Sequence, residues 1–108
     1  MASGETGSAL AKAIDELKRR RPEHIKLHAT YKAVLSGTQG GTWRIDFKNG
    51  GRVLDGDGLA EVTFEAEPQV FLDIVAGRLD PEQAGKQGKV RWTGDRAHFQ
   101  RMAALFKA

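Results

Sequence analysis

The chain contains no cysteine. That absence removes disulfide frameworks, thiolate metal sites and cysteine nucleophiles together, and it suits a reducing, cytoplasmic setting. Long apolar runs are missing as well: none approaches the roughly 18 residues a membrane span needs. The first residues lack the apolar core of a secretory signal, and Phe106-Lys107-Ala108 matches neither a peroxisomal address nor a prenylation box.

Patterns that carry chemistry are scarce. The three histidines, His24, His28 and His98, show no metal-ligand spacing with one another or with carboxylates. Asp55-Gly56-Asp57-Gly58 has the opening of a calcium loop, but Leu59 stands where the third oxygen ligand belongs, so a solvated turn is expected. Gly37–Gly41 is glycine-rich yet leads into a strand, whereas a phosphate cradle must open a helix. No serine sits in a nucleophile elbow and no carboxylate pair forms an acid/base couple. The expectation is a protein with no cofactor, no metal and no catalysis of its own.

Charge of one sign is also less abundant than it first looks. The formal net charge is +3, from 17 Lys and Arg against 14 Asp and Glu. Lys18-Arg19-Arg20-Arg21 supplies four of the 17, which leaves 13 basic residues against 14 acidic ones. The excess is therefore local to one helix end, where cations oppose the negative end of the dipole. Nucleic acid is not an expected partner; a membrane-surface or phosphate contact through this run is the alternative.

What is present reads as one α+β domain of 108 residues. Residues 1–7 read as a flexible tail and 8–108 as the folded unit. Ser8 is placed to cap a first helix in which Leu10, Ile14 and Leu17 share a face, and Pro22 stops it. From Ile25 to Leu35 odd positions are apolar and even ones mostly polar, the period of a half-buried strand. Trp43, Ile45 and Phe47 define a second strand, and Asn49-Gly50 signals a two-residue hairpin into a third, Arg52–Asp55. Ala60–Ala66 is a fourth, giving an antiparallel meander of four strands. A helix begins near Pro68. A short one follows, with Asp80 as cap, Pro81 in the first turn and Gln83 in the capping-box position. Lys89–Thr93 is a last strand, and Asp95 caps a final helix with Phe99, Met102, Ala103 and Phe106 on one stripe.

Trp43–Gly50, then Phe71-Leu72-Asp73-Ile74-Val75-Ala76-Gly77-Arg78-Leu79-Asp80-Pro81, then Gly88-Lys89-Val90 and Gly94-Asp95, resemble the sterol carrier protein type 2 family in order and spacing. The resemblance runs from about Ala29 to Phe106. It implies a five-stranded, mainly antiparallel sheet with helices packed on one face, enclosing an apolar tunnel or cavity. It also implies non-catalytic binding and transfer of a fatty acid, fatty acyl-CoA, phospholipid or sterol, and a possible role presenting a hydrophobic substrate to a partner enzyme. Phe71, Ile74 and Val75 match tunnel-wall positions, Trp92 the final strand, and Phe99, Met102, Leu105 and Phe106 the closing helix. Gln100 matches a position near the ligand's polar end. One departure stands out: after Ala84 the family has two large apolar residues, and this chain has Gly85-Lys86. That change implies a wider or more polar mouth, with Lys86 placed to meet an acidic head group.

Overall fold

The structure, a computed structural model, describes residues 4–20, 22 and 27–106; of Leu105 and Phe106 it describes only the backbone. Helix α1 spans Gly4–Arg20, strand β1 Thr30–Leu35, β2 Gly41–Asp46, β3 Arg52–Asp55 and β4 Val62–Ala66. Helix α2 covers Pro68–Val75, α3 Pro81–Lys86, strand β5 Val90–Gly94 and helix α4 Arg96–Phe106. The period-two positions expected to face inward do so: Tyr31, Ala33, Leu35, Trp43, Ile45, Val62 and Phe64 are all buried. Leu10, Ile14 and Leu17 of α1 join them, as do Phe71, Ile74 and Val75 of α2.

The five strands lie in the order β3-β2-β1-β4-β5. This corrects the expected four-strand meander. β1, β2 and β3 do form antiparallel neighbours, but β4 returns to the far side of β1 and pairs with it in parallel, Tyr31 opposite Val62 and Leu35 opposite Ala66. Side-chain chemistry fixes the start of that seam. Glu61 accepts the Thr30 N–H at 2.7 Å, the Glu61 N–H donates to Thr30 O at 2.9 Å, and Lys48 Nζ reaches the second carboxylate oxygen at 2.8 Å. β5 pairs antiparallel with β4 at the sheet edge.

Three local expectations are corrected. Helix α1 starts at Gly4, so Ser8 lies within it and caps nothing. The buried face extends back through Gly7 and Thr6, and Glu5 supplies the negative charge favoured in a first turn. The strand expected from Ile25 begins only at Thr30. His28 adopts a left-handed backbone with φ 53, which no strand accommodates, while Ile25 and His24 lie outside the described residues. The hairpin expected at Asn49-Gly50 does join β2 to β3, but through a 3-10 turn over Phe47–Asn49 in place of a two-residue turn. Asp46 explains it: its carboxylate accepts from the Lys48 N–H at 2.9 Å and from Asn49 Nδ2 at 2.8 Å, winding the chain before Gly50 reverses it.

The helix caps follow the sequence more closely. Asp80 accepts from the Glu82 N–H at 3.0 Å, one residue short of the expected Gln83, and Asp95 accepts from His98 N–H at 3.0 Å. Gly94 has φ 118, and a Cβ there would approach Glu61 O to 2.2 Å, so only glycine can sit where β5 turns against the start of β4. The basic run is engaged in part by the fold itself. Lys18 Nζ donates to Gly51 O at 3.2 Å, and Arg20 Nη2 donates to Val75 O at 3.4 Å, at the C-terminal end of α2. The Asp55–Gly58 turn is likewise tied by cations: Asp57 pairs with Lys32 at 2.8 Å, and Arg44 donates to the carbonyls of Asp55 and Gly56.

Candidate functional site

Helices α3 and α4 meet each other beside the outer strand β5, and the space they leave is an open groove of about 450 Å³. Its lining comes from Pro81, Glu82, Gly85 and Lys86 of α3, Val90, Arg91 and Trp92 of β5, and Arg96, Phe99 and Gln100 of α4. Periodicity explains the convergence. Pro81 and Gly85, or Glu82 and Lys86, are one helical turn apart; Arg96, Phe99 and Gln100 fall at i, i+3 and i+4; Val90 and Trp92 share a strand face.

Aromatic rings connect the groove to the core. Trp92 stacks on Phe99 with centroids 4.0 Å apart and planes 5° from parallel. Phe99 contacts Phe64 at 5.9 Å, and Phe64 contacts Phe71 at 5.6 Å. Phe71, Phe64 and Phe99 are buried, whereas Trp92 is half-buried, so the series runs from the sheet–helix interior out to the groove. Helix α4 is pinned over the sheet by Tyr31, whose hydroxyl donates to His98 O at 3.1 Å. Burial pushes that phenol up to about 12, so it stays a neutral donor at any ordinary pH.

Of the residues singled out in the sequence, Lys86, Trp92, Phe99 and Gln100 meet at the groove together with Gly85. Phe71, Ile74, Val75 and Met102 do not reach its wall; all four are buried in the core beneath it. Leu105 and Phe106 belong to α4, but their side chains lie outside the described residues. Arg96 and Arg91 line the groove and escaped the sequence reading. The signal for Arg96 was available, since it stands three and four residues before Phe99 and Gln100 on the same helix face. Among the described residues no cluster of three His, Asp or Glu side chains could hold a metal ion, and no helix is long and apolar enough to cross a membrane.

Residues 10–107 match the SCP-2 sterol transfer family. The chain belongs to that family. It is 30% identical over 107 residues to the mouse (Mus musculus) peroxisomal multifunctional enzyme type 2, covering 96% of this chain but 14% of the enzyme. It is 36% identical over 70 residues to the rat (Rattus norvegicus) hydroxysteroid dehydrogenase-like protein 2, covering 62% of this chain and 13% of that protein. In both cases the sterol transfer family member therefore corresponds to a small share of a much longer relative. Among solved structures, the palmitated SCP2L2 from Aedes aegypti superimposes with a TM-score of 0.72 at 22% identity, covering 98% of this chain and 96% of that one. The fold of the sterol carrier proteins is thus the fold of this chain.

Proposed function

We propose that this sterol transfer family member binds a hydrophobic ligand and carries it, without catalysis of its own, as a single unit that includes the whole of α1. The apolar part of the ligand enters between sheet and helices along Phe99, Phe71, Ile74, Val75 and Met102, with Leu105 and Phe106 on the closing helix. The polar end stays at the groove beside Gln100 and Lys86. The observation that supports this reading is the ring series from Phe71 through Phe64 and Phe99 to Trp92, which joins the buried apolar core to the open groove. Each methylene withdrawn from water contributes about 0.8 kcal/mol, so ten give roughly 8 kcal/mol before ordering costs. Fatty acid, fatty acyl-CoA, phospholipid and sterol all belong to the candidate class, and the cytoplasm is the proposed location.

The test is native mass spectrometry of the purified protein for co-purified lipid, followed by titration with a fluorescent fatty acid. Saturable binding that unlabelled ligand displaces supports the reading; no bound lipid and no displacement overturns it.

A second reading has a specific support. The relatives reported above are several times longer than this chain, and their names describe enzymes. In that reading the same groove presents a hydrophobic substrate to a partner enzyme, and recovery of one stable enzyme partner in a pull-down separates it from free transfer. A module working through Lys18–Arg21 has less support, because Lys18 and Arg20 already hold backbone carbonyls. Peripheral contact with a donor membrane through Arg19 is compatible with either reading.

A further inference from the structure

What sets the groove apart is that three cations gather at it; single cations without an acidic partner, such as Lys12 and Arg19, occur elsewhere among the described residues. Lys32, Lys48, Arg52 and Arg78 each face a carboxylate, and Arg44 and Arg20 hold backbone carbonyls. Lys86 and Arg96, on opposite walls of the groove, have no acidic partner among the described residues. Arg91 between them reaches Glu65 only at 3.9 Å, with the two side chains 81% and 55% exposed. Such a contact is weak and leaves the guanidinium available. Glu82 is the one acid among the lining residues, against three cations. Positive charge on β5 alone has a simpler account, since charged edge strands resist pairing with other chains. That account covers Arg91, but not Lys86 and Arg96, which stand on helices.

We infer that the groove reads an oxyanion through Lys86, Arg91 and Arg96, so that the ligand of this chain is an amphiphile ending in a phosphate or carboxylate and not a neutral sterol. The inference rests on the lipid-binding reading and narrows its ligand class. Two guanidinium groups offer paired N–H donors matched to oxyanion geometry, and the ammonium of Lys86 adds a third positive charge. Gly85 makes the approach possible. A Cβ there would meet nothing closer than Val90 O at 3.9 Å, so the position has space that this sequence leaves empty. The half-buried Trp92 stacks on the buried Phe99 and lines the same groove as the cations, a surface on which the first methylenes behind a head group would rest.

The full chain is titrated with hexadecyl phosphate, palmitate and hexadecanol, each as monomers, and with inorganic phosphate alone. The expected result is that both anions bind at least about tenfold more tightly than the alcohol, since hydrogen bonds to charged groups are the stronger kind. Lys86→Gln and Arg96→Gln each lower that anion-to-alcohol ratio several-fold, while Lys12→Gln, which removes a charge outside the groove, keeps it. Added salt shrinks the ratio. Equal binding of all three chains, or a ratio unmoved in the Lys86→Gln, Arg96→Gln double variant, overturns the inference while leaving lipid binding intact. Inorganic phosphate binding as tightly as hexadecyl phosphate also overturns it, in favour of a plain phosphate site. Failure of every hexadecyl ligand to bind instead overturns the lipid-binding reading itself. Circular dichroism and thermal midpoints of the variants match the parent, because all of these side chains are exposed.

Discussion

Trp92 lies flat on Phe99, and it is the only one of the chain's two tryptophans that solvent reaches; Trp43 is buried in the core. The two indoles therefore report on different places. A ligand settling in the groove changes the environment of Trp92 and leaves that of Trp43 alone. Trp92→Phe should abolish the ligand-dependent change in emission while the remaining signal stays at its buried-indole wavelength. Persistence of the change in that variant would move the binding event away from the groove.

Gly85 yields a second prediction. It sits inside α3 with room for a side chain, and glycine in a helix costs up to about 1 kcal/mol relative to alanine. Gly85→Ala should raise the unfolding free energy by about 0.5 kcal/mol, the position being close to the helix end. Gly85→Phe should fill the groove and weaken lipid binding about tenfold, a loss that one to two kcal/mol of displaced contact would produce. Denaturant unfolding measures the first change and fluorescent-lipid titration the second. A Gly85→Phe protein that folds and binds unchanged would show that the groove is not on the ligand's path.

Acid should weaken the fold through identifiable carboxylates. The Lys48 and Thr30 N–H contacts hold Glu61 below its usual range, Asn49 does the same for Asp46, and Arg78 for Asp73. A group whose native pKa is depressed contributes stability that is fully present above its unfolded value and is lost as pH falls through the native one. Unfolding free energy should thus be flat down to about pH 5 and decline below about pH 4. Glu61→Gln should make the decline shallower. An equal slope in parent and variant would remove Glu61 from the explanation.

Tyr31 acts at the opposite end of the scale. It is the only tyrosine, and its native value near 12 means the unfolded chain ionises first. Its contribution is fully present below about pH 10 and disappears as pH rises towards 12. Absorbance at the phenolate band should stay low until then or until the chain unfolds. Tyr31→Phe, which releases His98 O, should cost about 1 kcal/mol. A phenolate signal with an ordinary midpoint in folded protein would contradict the buried hydrogen bond.

The sequence was most legible where the physics is local. Alternation placed Tyr31, Ala33, Trp43, Ile45, Val62 and Phe64 inside, and short polar side chains placed the caps at Asp80 and Asp95. It was least legible where distant segments decide. Nothing near Ala60 announces that this strand pairs with β1 instead of β3; the information lies in Glu61, whose contacts with Thr30 and Lys48 span 31 and 13 positions. The turn after Asp46 misled because Asn49-Gly50 is a strong two-residue hairpin signal on its own, and one carboxylate three residues earlier overrides it. At the groove, Lys86 stood out by its departure from the family pattern. Arg96 did not, since a first-turn arginine looks like any surface charge until the strand and the neighbouring helix close around it.

Every residue lining the groove falls between Pro81 and Gln100. The core that would hold an apolar chain is assembled from the whole length of the protein, whereas the mouth is written in one uninterrupted segment. Those two parts can therefore change at different rates: a handful of substitutions in α3 and the first turn of α4 rewrites what is recognised at the entrance, and the scaffold behind it need not move. In a family whose members include small parts of far longer proteins, such a segment works as an exchangeable cassette, and transplanting it into another member is the direct way to move one chain's preference to another.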